Sequence, residues 1–457
     1  MYNENKNIKT RKLTPYDSII YPLVEQGKTG NIEVLNYMRN IKGELDVTVT
    51  SKAMGQRRMN INPQIYIDMA EDYVKGIYND FPEELETYKD YYLLAIDGSI
   101  ITLPNKERTK KEFHVKKDID GNYKNSRARA SCLADINNGY ILTSKIDNKS
   151  TSEIKLAMQH LNILQKHYPV EKSIITADRA YPSLQMILKI INIHSHFVIR
   201  LPQGKYEKEI KQMTSNDEII DFKLNNRLNN VEPKLRKKYK KYHSIKIRFT
   251  KIKLETGEEE ILISNLPPNK ITTEDLKEIY NRRWGIETTY DRLKVKLEIE
   301  NFTGYSRTII EQDFYSHIFL LNMVITEKII VEHIENEKIN NGKLKSIPKI
   351  NNNSEDLNLN QETKTIEIEN TTTLENKNPK KVQYFFKVNI NTLVGLLKLE
   401  LPYLLDEDDE TRLKASKRIT KTARKNLMQF REDRKRDYPR KKKDYDAKFP
   451  QNQRRAF

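Results

Sequence analysis

The stretch YYLLAIDGSIITLP (residues 91–104) marks a change of texture in this chain. Its β-forming run reaches Asp97-Gly98 and resumes briefly after it. RARASCLADI (127–136) and GYILTSKI (139–146) follow, separated by Asn137-Asn138, a hairpin signal. Residues 151–168 carry amphipathic helical spacing, SIITAD (173–178) is a short buried strand, 182–190 is helix, and HFVIRLP (196–202) is another strand. If the piece after Gly98 only continues the first strand, the order is β-β-β-α-β-α-β. That is a mixed sheet flanked by helices, α/β in class.

On the N-terminal side the apolar spacing is helical. It runs through Ile19, Ile20 and Leu23, then Ile32, Leu35 and Met38, then Ile65, Ile67, Met69, Val74 and Ile77. VTSKAMGQRRMNINP (49–63) carries Lys52, Gln56, Arg57 and Arg58, and two readings of it stand: a recognition-type helix or a solvated helix face. On the C-terminal side, residues 203–266 read as a strand-like, basic insertion between two pieces of the α/β unit. Residues 273–298 read as one helix and 308–332 as a second, very apolar one. Residues 336–378 hold eleven asparagines and no aromatic residue, the composition of a disordered linker. The expected division is a helical N-terminal DNA-binding domain over 1–85, a catalytic domain over 86–202 and 267–335, a β-rich insertion over 203–266, a linker over 336–380 and a helical, basic C-terminal region over 381–457.

The whole chain bears a net charge of +17 with a pI near 9.4, which points to a polyanion, nucleic acid first. Residues 411–457 alone hold 18 Lys/Arg against 5 Asp/Glu. One cysteine, Cys132, excludes an internal disulfide and a multi-cysteine zinc site, and its place inside a strand reads as core. His194 and His196, at a strand edge, read as structural. No apolar run reaches the roughly 18 residues that span a bilayer, and residues 1–14 hold no apolar signal segment. A cytoplasmic, bacterial-type protein with no membrane partner is expected.

Three acids stand out. Asp97 and Asp178 end strands of the α/β unit, where ligands of such sheets bind. Glu287 lies mid-helix in YNRRWGIETTYDRLK (280–294), where Tyr280, Arg283, Glu287 and Lys294 would fall within an arc of about 60° on an ideal helix. Beside them Ile279, Ile286, Tyr290, Leu293 and Leu297 form an apolar stripe. Spacing alone also fits an ordinary Arg–Glu pair on a helix surface. Converging carboxylates repel unless a cation neutralises them. Mg²⁺ suits hard oxygen ligands and a substrate phosphate, and two such ions serve in-line displacement at phosphorus.

The 280–294 stretch resembles the Y-x2-R-x3-E-x6-K signature of DDE transposases grouped as the insertion-sequence-4 family, with Tyr280, Arg283, Glu287 and Lys294 at every position. LLAIDGSIITLPN (93–105) is similar to the family's first-aspartate segment and TADRAYPS (176–183) to its second. VTSKAMGQRRMNINP is similar to the pre-catalytic region of some members and EQDFYSHIFLLN (311–322) to the helix that follows the signature, so the resemblance covers about residues 10–330. It implies an RNase H-like catalytic domain interrupted by a β insertion. It implies that Asp97, Asp178 and Glu287 hold two Mg²⁺, with Mn²⁺ as a substitute. Tyr280, Arg283 and Lys294 would contact phosphates of the element's end, with Trp284 beside them on the DNA-binding face. Double-stranded DNA is the implied partner, bound by at least a homodimer. Two departures stand: Ala180 replaces a usual glycine, and EEILISNL (259–266) lacks the tryptophan that some members place there, the chain's one Trp being Trp284. A metal-dependent nuclease that cuts without joining, and a DNA-binding-only descendant, are the alternatives.

Overall fold

The computed structural model describes residues 12–46, 49–117, 125–253, 257, 259–340 and 384–431. The expectations for residues 1–11, for the linker over 341–380 and for the tail beyond residue 431 lie outside the described residues.

Four helices open the chain: α1 (Pro15–Val24), α2 (Gly30–Asn40), α3 (Ser51–Arg58) and α4 (Gln64–Asp80). Thr14 starts α1 with a capping box: its hydroxyl accepts from Asp17 N–H and the Asp17 carboxylate accepts from Thr14 N–H. Such a cap is worth about 1 kcal/mol. The helices are where the apolar spacing placed them, but their buried faces differ. In α4 the buried residues are Tyr66, Ala70, Val74 and Tyr78, and in α2 they are Glu33, Val34, Tyr37 and Met38, while Ile32 is exposed. Tyrosines replace isoleucines inside because each buried phenol finds an acceptor: Tyr37 donates to Asp17, Tyr66 to the Ile19 carbonyl, and Tyr78 to Asp135.

The α/β unit follows as β1 (Tyr92–Thr102), α5 (Glu107–Glu112), β2 (Arg127–Asp135), β3 (Ile141–Asn148), α6 (Glu153–His167), β4 (Ser173–Ala177), α7 (Leu184–Asn192) and β5 (His196–Arg200). The β-β-β-α-β-α-β order holds once the short α5 is set aside, and β1 runs on through Gly98 as one strand. Gly139, at a φ of +85°, turns the β2–β3 hairpin. Next come α8 (Glu207–Ile210), β6 (Asp217–Lys223), α9 (Pro233–Tyr239), β7 (Ser244–Lys253) and β8 (Glu259–Ser264). All eight strands form one sheet in the order β3-β2-β1-β4-β5-β8-β7-β6. β1 pairs parallel with β4 and β4 with β5; the other pairings are antiparallel. The strands of residues 203–266 therefore do not form a separate β unit. They extend the sheet through β8, which pairs with β5, and carry two short helices besides.

The stretch expected as one helix over 273–298 is α10 (Thr273–Arg282), α11 (Gly285–Asp291) and a π-helical turn, Arg292–Lys296. The long helix α12 (Arg307–Asn340) follows, so the expected linker begins inside a helix. β9 (Tyr384–Val388), α13 (Ile390–Leu404), α14 (Asp409–Arg424) and β10 (Leu427–Arg431) complete the fold, with β9 and β10 paired antiparallel. Residues 384–388 are thus strand where helix was expected. By length and composition Arg307–Asn336 does reach a membrane-span pattern, contrary to the sequence reading, yet 67% of its most apolar stretch is buried inside the protein. Its few polar residues explain the difference. Asn322 closes both backbone groups of Ile141 at β3, and Gln312 and Asp313 hold α3.

One half-buried acid on α12 has a carboxylate oxygen left without a partner. Burial pushes the Glu327 carboxyl from 4.5 up to about 7, and its Oε2 has no hydrogen-bond partner. A raised carboxyl pKa favours the folded state while the group is protonated, so this contribution is lost as pH rises from 4.5 through about 7. Glu327→Gln is therefore expected to raise stability by roughly 1–2 kcal/mol at pH 8 and by almost nothing at pH 4.5. Urea denaturation at the two pH values checks this; an equal effect at both would contradict it.

Candidate active site

Sheet register decides where the acids stand. Parallel pairing aligns Tyr92 with Ser173 and Ala95 with Thr176. The same offset carries Asp97 to Asp178, the first residue beyond β4. Register partners on adjacent strands share a face and lie about 4.8 Å apart between backbones. Across the antiparallel pair Asp97 faces Cys132, which is fully buried. Alternation then sorts β1 and β2 into two faces. Asp97, Ser99 and Cys132 look toward the helix layer of α11. Ser131 and Arg129 look the other way, to His160 and Glu153 on α6.

The signature helix is fastened over Asp97. At its start Thr272 and Asp275 form a capping box, and Asp275 also takes Tyr88 Oη at 2.6 Å and Lys89 Nζ at 2.5 Å, residues just before β1. Farther on, Tyr290 Oη donates to the Asp97 carbonyl at 2.9 Å, and Lys294 Nζ donates to Ser99 Oγ at 2.8 Å and the Ile100 carbonyl at 2.9 Å. The apolar stripe Ile279, Ile286, Tyr290, Leu293 and Leu297 is buried as expected. Between α10 and α11 the backbone tightens: Ile286 N–H bonds to the Arg283 carbonyl and Glu287 N–H to that of Trp284, three residues back. Gly285 permits the close approach there, since a Cβ would stand 3.1 Å from Ile136 Cβ.

This tightening breaks the single polar stripe. Tyr280 and Arg283 turn inward, Glu287 faces solvent, Lys294 is half-buried, and Trp284 is 52% exposed. Arg283 is only 5% exposed, its guanidinium 5.5 Å from the Tyr280 ring centroid and 4.9 Å from that of Trp284, and its Nε lacks a partner. It does not pair with Glu287. Its charge acts on Asp97 instead. Burial pushes the Asp97 carboxyl from 3.8 up to about 6; the Gly98 N–H bond and Arg283 oppose this, while Asp178 and Glu287 push it further up. Asp178, Glu287 and Arg283 thus all act electrostatically on Asp97.

Sequence reasoning passed over Tyr181. The turn after β4 brings it back beside Asp178, whose carbonyl accepts the Tyr181 N–H. Its side chain is 1% exposed and its hydroxyl has no partner, with Asp97 and Asp178 both raising its pKa behind the larger effect of burial. Its position three residues after Asp178 in TADRAYPS was the available signal. An unpartnered buried hydroxyl costs about 1–3 kcal/mol. Tyr181→Phe is expected to stabilise the metal-free protein by about 1 kcal/mol and to slow any reaction at the aspartates roughly tenfold. Parallel denaturation and rate measurements test the split; loss of stability with an unchanged rate would show a purely structural residue.

Among the described residues no three His, Cys, Asp or Glu side chains stand close enough together to hold a metal ion as they are. The in-register pair Asp97 and Asp178 has the right chemistry for a hard divalent cation. It offers carboxylate oxygens on one face of a sheet, with one carboxyl pushed up to about 6 by burial first and by its acidic neighbours second, a penalty a cation would relieve. Glu287 lies within electrostatic range and outside one shared ligand shell.

The N-terminal candidates separate. Lys52 and Gln56 on α3 are exposed and Arg57 is half-buried. Arg58, expected on a DNA-facing surface, is instead 2% exposed: Nη2 pairs with Asp313 Oδ1 at 2.5 Å, Nε donates to Gln312 Oε1 at 3.1 Å and Nη1 to Thr303 Oγ1 at 2.7 Å. Its guanidinium is consumed in docking α3 onto α12. His196 packs edge-on against Tyr91.

No curated protein matches the chain. Among solved structures it is similar to a piggyBac transposase synaptic complex with hairpin DNA, determined by cryo-EM, at 11% identity and a TM-score of 0.39, over 73% of this chain and 70% of that one. That likeness is too remote to transfer residues or mechanism. The family model of the transposase DDE domain matches residues 88–323, just over half of the chain, and spans β1, β4, the signature helix and the first half of α12. The chain belongs to the transposase DDE domain family.

Proposed function

We propose that this protein is an insertion-sequence transposase of the insertion-sequence-4 type, with an RNase H-like catalytic domain. It binds the terminal inverted repeats of its element, cleaves DNA at the ends and joins the freed 3′-OH to target DNA. The observation that carries this reading is the alignment of Asp97 with Asp178 on adjacent parallel strands beneath a helix bearing Glu287. The strand order β3-β2-β1-β4-β5 with α6 and α7 as crossovers supports the RNase H-like assignment.

Asp97 and Asp178, with Glu287, would hold Mg²⁺, or Mn²⁺ in its place; two bound ions supply an activated oxygen nucleophile and charge neutralisation at the scissile phosphate. The chain's own residues do the rest. Arg283, its guanidinium close to the Tyr280 and Trp284 rings and its Nε without a partner, is held ready for a phosphate oxygen. Tyr290 and Lys294 fix β1 at the Asp97 carbonyl and at Ser99 and Ile100 just beyond it, so the carboxylate is positioned before DNA arrives. Trp284 offers an exposed ring on which an unpaired base can stack. Lys52, Gln56 and Arg57 remain the candidates for reading the repeat; Arg58 does not. A homodimer in the DNA complex, acting in the bacterial cytoplasm, completes the proposal.

The test is strand transfer. A duplex end with a free 3′-OH is incubated with the protein, Mg²⁺ and a supercoiled plasmid. Joined products support the transposase; nicking without joining makes the protein a nuclease of the same architecture. Binding with neither reaction makes it a DNA-binding descendant.

A further inference from the structure

A second basic site lies away from the carboxylates. A cavity of about 710 Å³ between α6, α7 and α9 is lined by Asn162, Lys189, Asn192, Glu232, Lys234 and Lys238, among others. Residues 234–241, KLRKKYKK, hold six Lys/Arg and no acid. In α9, Lys234 stands three and four residues before Lys237 and Lys238, and like charges at that spacing repel. Lys189 reaches in from α7 and is only 7% exposed. Its ammonium donates to a neutral amide, Gln165 Oε1 at 3.2 Å, and Lys238 donates to another, Asn192 Oδ1 at 2.6 Å. Among the described residues none of the three lysines has a carboxylate within ion-pair distance, and Glu232 is the one acid in the lining. Gathering ammonium groups in this way costs stability unless an anion completes the site.

The place is distinct from the active site. α7 begins just past Asp178 and runs back toward the start of β5, so Lys189 and Asn192, in its last turn, lie at the opposite end of the sheet, about 13 Å of helix away. α6 and α7 also cover the face that Asp97 does not use. We propose that this cleft binds the phosphodiester backbone of double-helical DNA at a place separate from the duplex held over Asp97 and Asp178. The occupant is a polyanion and not a small anion because the basic surface continues past the cavity along Lys237, Lys240 and Lys241, all exposed, with Tyr242 beside them. The DNA assignment rests on the function proposed above; the anion site does not.

Duplex affinity measured against salt decides it, since the slope of log K on log salt becomes shallower by about 0.9 for each DNA phosphate the protein no longer neutralises. The wild type is compared with the double variant Lys234→Gln/Lys238→Gln, whose side chains are exposed and so leave the fold intact. The expected result is a slope shallower by about 2 for the variant, with Mg²⁺-dependent nicking at saturating protein unchanged. A wild type that binds DNA with the same slope as the variant overturns the inference alone. A wild type that binds no duplex overturns the functional proposal with it. Inorganic phosphate is the second arm: a phosphate-dependent rise in Tm, lost in the variant while the DNA slope is unchanged, would make this a small-anion site and overturn the DNA assignment.

Discussion

Asp97→Asn is expected to cut DNA cleavage by roughly 10³-fold or more while leaving the protein at least as stable as the wild type. The two effects share one cause. Asp97 is held with Asp178 and Glu287 against it and with its carboxyl pushed up to about 6. Replacing the charge by an amide of the same shape removes the cost of burying that charge, the largest part, together with the repulsion, so at pH 8 the variant gains up to about 2 kcal/mol. It also removes an oxygen ligand that the reaction needs. Thermal denaturation and nicking rates on the same preparations give both readings. A variant that cleaves within tenfold of the wild type would remove Asp97 from the chemistry, and a destabilised one would make it a structural residue.

Arg58→Ala is expected to cost about 3–5 kcal/mol of stability. The truncation leaves the buried Asp313 carboxylate with Thr303 alone to satisfy it and strips Gln312 Oε1 of its donor. Urea unfolding measures the loss. The competing idea, a DNA-reading arginine, makes the opposite pair of predictions: unchanged stability and weakened binding to the repeat. Lys52→Ala and Gln56→Ala, on the exposed side of the same helix, are the proper probes of recognition.

Arg58 shows where reading a sequence stops. Composition and spacing locate α3 and its basic residues, but the partner that buries Arg58 lies 255 positions away at Asp313, and no local pattern announces it. The acids were legible because Asp97 and Asp178 end short β-rich runs, and their alignment follows from a strand register that the sequence leaves open. The polar stripe of 280–294 was legible as a helix and misread as one face. An ideal 100° step was assumed, and the turn at Gly285 tightens against Ile136. That close approach is a tertiary fact. The basic strands of 203–266 read as a β-rich insertion by texture, and the sheet they join is set by pairing between β5 and β8 that the sequence leaves open. Tyrosine in place of isoleucine at the helical core has the same origin, because the acceptors for Tyr37 and Tyr78 come from other elements.

The central claim is that Glu287, on the helix bolted to β1, completes a metal-dependent site with Asp97 and Asp178. Glu287 is exposed, so Glu287→Gln removes a charge without disturbing the core. The most direct measurement is cleavage of a duplex bearing the element's own terminal repeat in Mg²⁺, with binding followed in parallel, for the wild type and Glu287→Gln. The account predicts that both proteins bind and that only the wild type cuts at the end of the repeat. Equal cutting by both would contradict it and reduce Glu287 to a solvated side chain beside Arg283.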